Sequence, residues 1–175
     1  MIARKAYQSG MALLEALIGI LIFSIGILAM IAMQAASVNA VADAQYRIEA
    51  VNAANQLLSQ IWVSVDRTNA AKTEASTEES VKKSLLTFEH QTGGAPSTCD
   101  FTGNPASSAT VKAWLAYLNT GGPGGRPILP GTKGSMQQIE VDTGANDHNR
   151  VTITVCWQAP SDTTPRRHTV VAYVN

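Results

Sequence analysis

The chain has no proline before Pro96 and only two cysteines, Cys99 and Cys156, among its 175 residues. The first absence leaves nothing local to break a helix over the N-terminal part of the chain. The second excludes a zinc ribbon and a disulfide-dense scaffold. Charge of one sign is lacking too: 13 Lys+Arg balance 13 Asp+Glu. That balance argues against nucleic acid as the main partner, because phosphate binding draws on a surplus of Lys and Arg gathered on one face. The scarcity that organises the sequence is local, since residues 11–42 contain a single charged side chain, Glu15, in 32 positions. The middling averages, 45% hydrophobic and a mean hydropathy of +0.02, therefore mix two unlike parts.

What fills the first part is the run MALLEALIGILIFSIGILAMIAM at residues 11–33. As a helix its 23 residues reach about 35 Å, enough to cross the hydrocarbon layer of a bilayer. A secretory signal peptide also has a basic start and an apolar stretch, but of only about 7–15 residues before a small-x-small cleavage site. This run is longer and continues with no turn residue into a second helical pattern, so the helix is expected in the mature protein. Arg4 and Lys5 precede it without a balancing acid, which places the N-terminus in the cytoplasm and the remainder outside. Glu15 stands out, because a carboxylate at the centre of a membrane helix costs about 2.5–3.5 kcal/mol and is normally there for a partner.

Beyond the membrane the helix changes character. Val41, Ala44, Ile48, Val51, Asn55, Leu58, Trp62 and Val65 recur at intervals of three and four, the pattern of one amphipathic face, with Trp62 and Leu58 expected in a core. One helix is thus predicted from Met11 to about Asp66. A globular domain follows, with weak helical spacing at 78–89 and a short helix at 108–118 bringing Val111, Trp114, Leu115 and Leu118 to one side. Ten of the 13 glycines and five of the seven prolines fall between residues 93 and 144, so this middle reads mostly as loop. The runs 136–142, 151–158 and 168–174 alternate β-branched residues between turns, as an antiparallel meander does. The predicted fold is α+β: a long N-terminal helix, transmembrane then amphipathic, packed on a C-terminal antiparallel sheet.

The segment Gly10-Met11-Ala12-Leu13-Leu14-Glu15 resembles the class III signal of type IV pilins and type II secretion pseudopilins. That signal is a short basic leader, a glycine, a hydrophobic residue, and glutamate fifth after the glycine. Met11 stands where Phe is commonest and Ala12 where Thr or Ser is usual. The resemblance implies cleavage between Gly10 and Met11 by a membrane prepilin peptidase, which also methylates the new N-terminus at Met11. It implies further that Glu15 neutralises the α-ammonium of Met11, in its own chain or the next subunit, and so sets the register of assembly. The short Trp-bearing helix, the Gly/Pro-rich link, the VTITVCW strand and residues 19–34 resemble the PilV family of type IV pilus minor pilins. The expected organisation is a cleaved leader at 1–10, a transmembrane and filament-core helix at 11–36, and an exported globular domain at 37–175.

The implied role is a structural subunit that primes or caps filament assembly, stored in the inner membrane and then carried to the pilus filament or tip. Its implied partners are other minor and major pilins, the prepilin peptidase, the inner-membrane assembly platform and, before assembly, membrane lipid. A minor pseudopilin of a type II secretion system is the alternative. The roughly 140 residues after Ala36 exceed the usual pseudopilin domain and favour the pilus. A membrane-anchored adhesin and a membrane-anchored aspartic protease are the other classes weighed.

Both cysteines fall in the part expected outside the cytoplasmic membrane, where a disulfide persists, and a Cys99–Cys156 bond is predicted. Across 57 positions it would stabilise by roughly 4 kcal/mol in the chain-entropy model. Val141-Asp142-Thr143-Gly144-Ala145 matches the core of aspartic proteases, but the turn-forming residues 146–149 that follow favour a β-turn. His90, His148 and His168 lack metal-ligand spacing, and Gly121-Gly122-Pro123-Gly124-Gly125 lacks the following Lys-Ser/Thr of a phosphate loop. Lys82-Lys83 and Arg166-Arg167 read as solvated faces that would meet DNA only in a filament that takes it up. No catalytic, cofactor or metal site is expected.

Overall fold

Helix α1 runs unbroken over Ser9–Ser64 in a computed structural model, which describes residues 9–68, 73–144 and 148–174. The expected leader falls mostly on residues 1–8, outside the described residues; Gly10 and Met11 lie in the first turn of α1. The chain divides into two compact units, Met1–Asp43 and Ala44–Asn175. In the first, every described side chain from residue 11 to residue 41 is exposed.

The second unit is the α+β part. Helix α2 (Glu74–Leu86) starts four residues before the expected 78, because Thr73 and Ser76 form a reciprocal cap, each hydroxyl accepting the other's backbone N–H. It buries Val81 and Leu85, and Phe88 is buried just past its end. Helix α3 (Ala109–Thr120) buries Val111, Trp114 and Leu118. It ends at Gly121, whose N–H donates to the Tyr117 carbonyl at 2.7 Å and where a side chain would strike the Tyr117 ring.

Within the glycine-rich middle, expected to be loop, β1 (Gly93–Ala95) and β2 (Asp100–Thr102) form a small hairpin. The main sheet is the expected antiparallel meander, β3 (Gln137–Asp142), β4 (Arg150–Trp157) and β5 (Arg166–Tyr173), in the order β3-β4-β5. Its register sets Ile139 and Val170 opposite Ile153. Val151, Ile153, Val155 and Trp157 share one face of β4 and join the main core, while Cys156 lies on the other face in a separate small cluster with Cys99 and Phe101.

One expectation is corrected. α1 buries Ala50, Ala53, Ala54, Leu57 and Ile61, a stripe displaced from the expected one by about a third of a turn, while Val65 of the expected stripe is buried just past the helix end. Ile48 and Trp62, placed on the apolar face by their spacing, are 60% and 40% exposed; Val51 and Leu58 are half-buried. The reason is steric. Ala50, Ala53 and Ala54 leave the backbone of α1 uncovered on the buried face, where the Trp114 indole N–H donates to the Ala53 carbonyl at 2.9 Å. Trp62 instead lies under the Arg67 guanidinium, 5.7 Å from its ring centroid. In chemical denaturation, Trp114→Ala should therefore lose about 3–5 kcal/mol, as large-to-small core changes do. Trp62→Ala should lose no more than about 1 kcal/mol, the scale of an exposed cation–π contact. Equal losses would return Trp62 to the core.

Candidate functional site

The apolar part of α1 is long and hydrophobic enough to cross a membrane, and none of its most apolar window is buried by the rest of the chain. Two polar side chains interrupt residues 11–33. Ser24 is satisfied internally, its hydroxyl donating to the Ile20 carbonyl at 2.7 Å, as a hydroxyl in an apolar medium requires. Glu15 is exposed, and its carboxylate bonds to no described residue. Met11 sits one helical turn before it, on the same face. This carboxylate, flanked by exposed Leu14, Leu17 and Ile18, is the single charge of residues 11–33.

Cys99 and Cys156 are joined, with Cα atoms 6.0 Å apart, as the sequence predicts. Cys156 lies on the sheet face opposite the main core, so the bond fastens the β1–β2 hairpin to that face, where Phe101 and Met136 pack around it. Gln137 secures the same point. Buried at the start of β3, its amide donates to the Cys156 carbonyl at 3.1 Å, and its side-chain oxygen accepts the Cys156 N–H at 3.2 Å.

His90 is a structural residue that the sequence does not signal, because a lone histidine has no pattern. It is buried. Its backbone exchanges two hydrogen bonds with Ile139, its Nδ1 accepts the Ala106 N–H at 3.1 Å, and its Nε2 lies 3.2 Å from the Gly134 carbonyl. That pattern defines a neutral ring with Nε2–H as donor. Burial pushes the His90 pKa down against the smaller upward effect of Gly134. Neighbouring Glu89 is pushed up by burial and by Glu140.

The remaining motifs resolve into structure. Asp142 closes β3, pairs with Arg150 at 3.1 Å, and accepts the Gly144 N–H at 3.2 Å, the geometry of a turn. Ala145, the last residue of the protease-like motif, and the turn residues 146 and 147 lie outside the described residues. Pro123–Gly125 is a 3₁₀ turn in which Gly124 and Gly125 take positive φ. The basic pairs lie at the surface, with Lys83 and Arg167 exposed as expected, and three of the four side chains are held by a partner. Arg166 pairs with Asp162 at 2.8 Å, Arg167 donates to the Pro96 carbonyl at 3.1 Å, and Lys82 pairs with Glu78 at 2.8 Å. Among the described residues no group of three or more His, Cys, Asp or Glu side chains is disposed to hold a metal ion. No family model, curated protein or solved structure matches the chain.

Two outcomes follow from this geometry. A thiol reagent added to non-reduced, denatured protein should label nothing, and Cys99→Ser/Cys156→Ser should lower stability by about 2–5 kcal/mol; two labelled thiols would break the assignment. For His90, a depressed folded pKa gives stability that is complete above the ordinary value of about 6.5 and is lost as pH falls from there through the folded pKa. Glu89, with a raised pKa, works in the opposite sense, losing its contribution as pH rises past the ordinary carboxylate range. Stability measured by denaturation should therefore decline below pH ~6.5, and His90→Gln should flatten the decline. An unchanged slope in that variant would remove His90 from the account.

Proposed function

We propose that this protein is a minor pilin of a type IV pilus, anchored in the inner membrane by a single pass of α1 and drawn from there into a filament. One observation carries the reading: an exposed apolar helix with one unpaired carboxylate, Glu15, five residues after Gly10, which continues unbroken into the first helix of a folded unit. A helix of this kind is costly in water and is accommodated by lipid or by like helices. Glu15 in either setting needs a cation, and cleavage after Gly10 would generate one as the α-ammonium of Met11, a single turn away. Between subunits, attraction in a low dielectric rewards the register that brings the two charges together, and a register that leaves either one unpaired is penalised.

In this reading Gly10 and Met11 flank the bond cut by the prepilin peptidase, Met11 carries the methylated amine, and the second unit selects neighbouring pilins. The disulfide suits an oxidising compartment, consistent with export of that unit. The role is structural rather than catalytic.

The test is made in the native host. Gly10→Ala should leave the leader attached, visible as a slower-migrating chain, and abolish incorporation into sheared pili. Glu15→Ala should be cut normally and still fail to co-purify with pili. Normal piliation with the leader retained would overturn the assembly reading. Co-purification with a secretion complex instead of pili would move the protein to the pseudopilins.

A further inference from the structure

The two edges of the main sheet are treated differently. The outer edge of β3 is blocked at its middle, where His90 and Ile139 exchange backbone bonds of 3.0 and 2.9 Å and the Gln138 amide donates to the Gln91 carbonyl at 3.1 Å. β3 also carries the exposed charge of Glu140. β5 has no such protection, and among the described residues no strand pairs with its outer edge. It is eight residues long, its register with β4 runs from Arg166 to Tyr173 without a bulge, and from His168 onward it contains no proline, lysine or carboxylate. Proline, charge, bulges and shortness are the usual devices that keep an edge from pairing.

The phase of this edge follows from one bond. The Val174 N–H donates to the Asn149 carbonyl directly opposite, at 3.1 Å. In an antiparallel ladder, alternate residues bond inward, so Ala172, Val170 and His168 face β4. The N–H and C=O groups of Arg167, Thr169, Val171 and Tyr173 point away. Those four also carry the exposed side chains of the strand, with Val171 at 51% and Tyr173 at 53%.

We propose that this edge pairs with the same edge of a second copy, antiparallel about a two-fold axis at Val170, to form one continuous six-stranded sheet. The strand is self-complementary in that register. All four outward residues meet outward residues: Arg167 opposite Tyr173, and Thr169 opposite Val171, each pair occurring twice. The two Arg167 guanidinium groups lie at opposite ends of the pairing, each beside a tyrosine ring it can stack on, so like charges are kept apart. Arg167 is already held by the Pro96 carbonyl. Sliding the copies by two residues sets Tyr173 opposite Pro165, which has no N–H, or carries Arg167 past the end of the strand; sliding by one opposes groups that point the wrong way. This pairing is independent of leader cleavage and of Glu15.

The experiment uses the full chain in detergent micelles with the Cys99–Cys156 bond closed. In Thr169→Cys the two introduced thiols lie on the same face of adjacent strands, about 7–8 Å apart between backbones, within reach of a short bis-maleimide. A covalent dimer is expected. Adding Val171→Pro should cut its yield at least about tenfold, because that N–H faces outward and its loss costs the fold no bond to β4. Val171→Lys should act alike, with a retained cooperative unfolding transition in urea reporting that both variants are folded. A chain that gives no Thr169→Cys dimer overturns the proposal. A crosslink insensitive to both substitutions does so as well, which includes association through the apolar part of α1 or through a strand of another protein.

Discussion

The indole N–H of Trp114 reaches the backbone of α1 at Ala53, and the second unit is arranged around that approach. A tryptophan donating to a main-chain carbonyl needs that carbonyl uncovered, and small side chains around it leave it so. Ala50, Ala53 and Ala54 supply them. With α3 seated there, Leu57 and Ile61 are committed to the same face of α1, and Leu118 and the β4 residues Val151, Ile153 and Val155 complete one core. Ile48 and Trp62 fall on other sides of α1 and face outward.

The same helix shows how one secondary structure serves two solvents. From residue 11 to residue 41 its side chains are exposed among the described residues, and its composition leaves only Glu15 and Ser24 as polar interruptions of residues 11–33. From residue 50 onward it buries one narrow stripe against the rest of its unit. No proline or other breaker separates the two regimes, and the change is written wholly in side chains.

The parts visible in the sequence are those where chemistry and pattern coincide. β-branched alternation marked β3, β4 and β5 within one or two residues, because sheets with one buried face impose a period of two. The helix ends were legible where a cap or glycine stands, as at Gly121, and less so at Thr73, where serine rather than glutamate closes the cap. The bond between Cys99 and Cys156 was legible because no other pairing exists. The buried face of α1 was not, since spacing of three and four fits two faces of this helix and only tertiary contacts select the one with Ala50, Ala53, Ala54, Leu57 and Ile61. The β1–β2 hairpin, three residues a side and rich in glycine, gives no period to read. His90 holds its place through contacts with residues 106, 134 and 139, which no local pattern reveals. Glu15 was legible as an anomaly, and its carboxylate bonds to no described residue.

The Cys99–Cys156 bond has a mechanical side. Pulled by its two ends, the chain transmits force from the hairpin directly to β4, and the 57-residue span between the cysteines carries no tension while the bond is closed. That span would otherwise contribute about 190 Å of extended length. Helix α3 and strand β3 both lie inside it, so the core contacts they make are shielded from a load that would peel α1 or β5 away first.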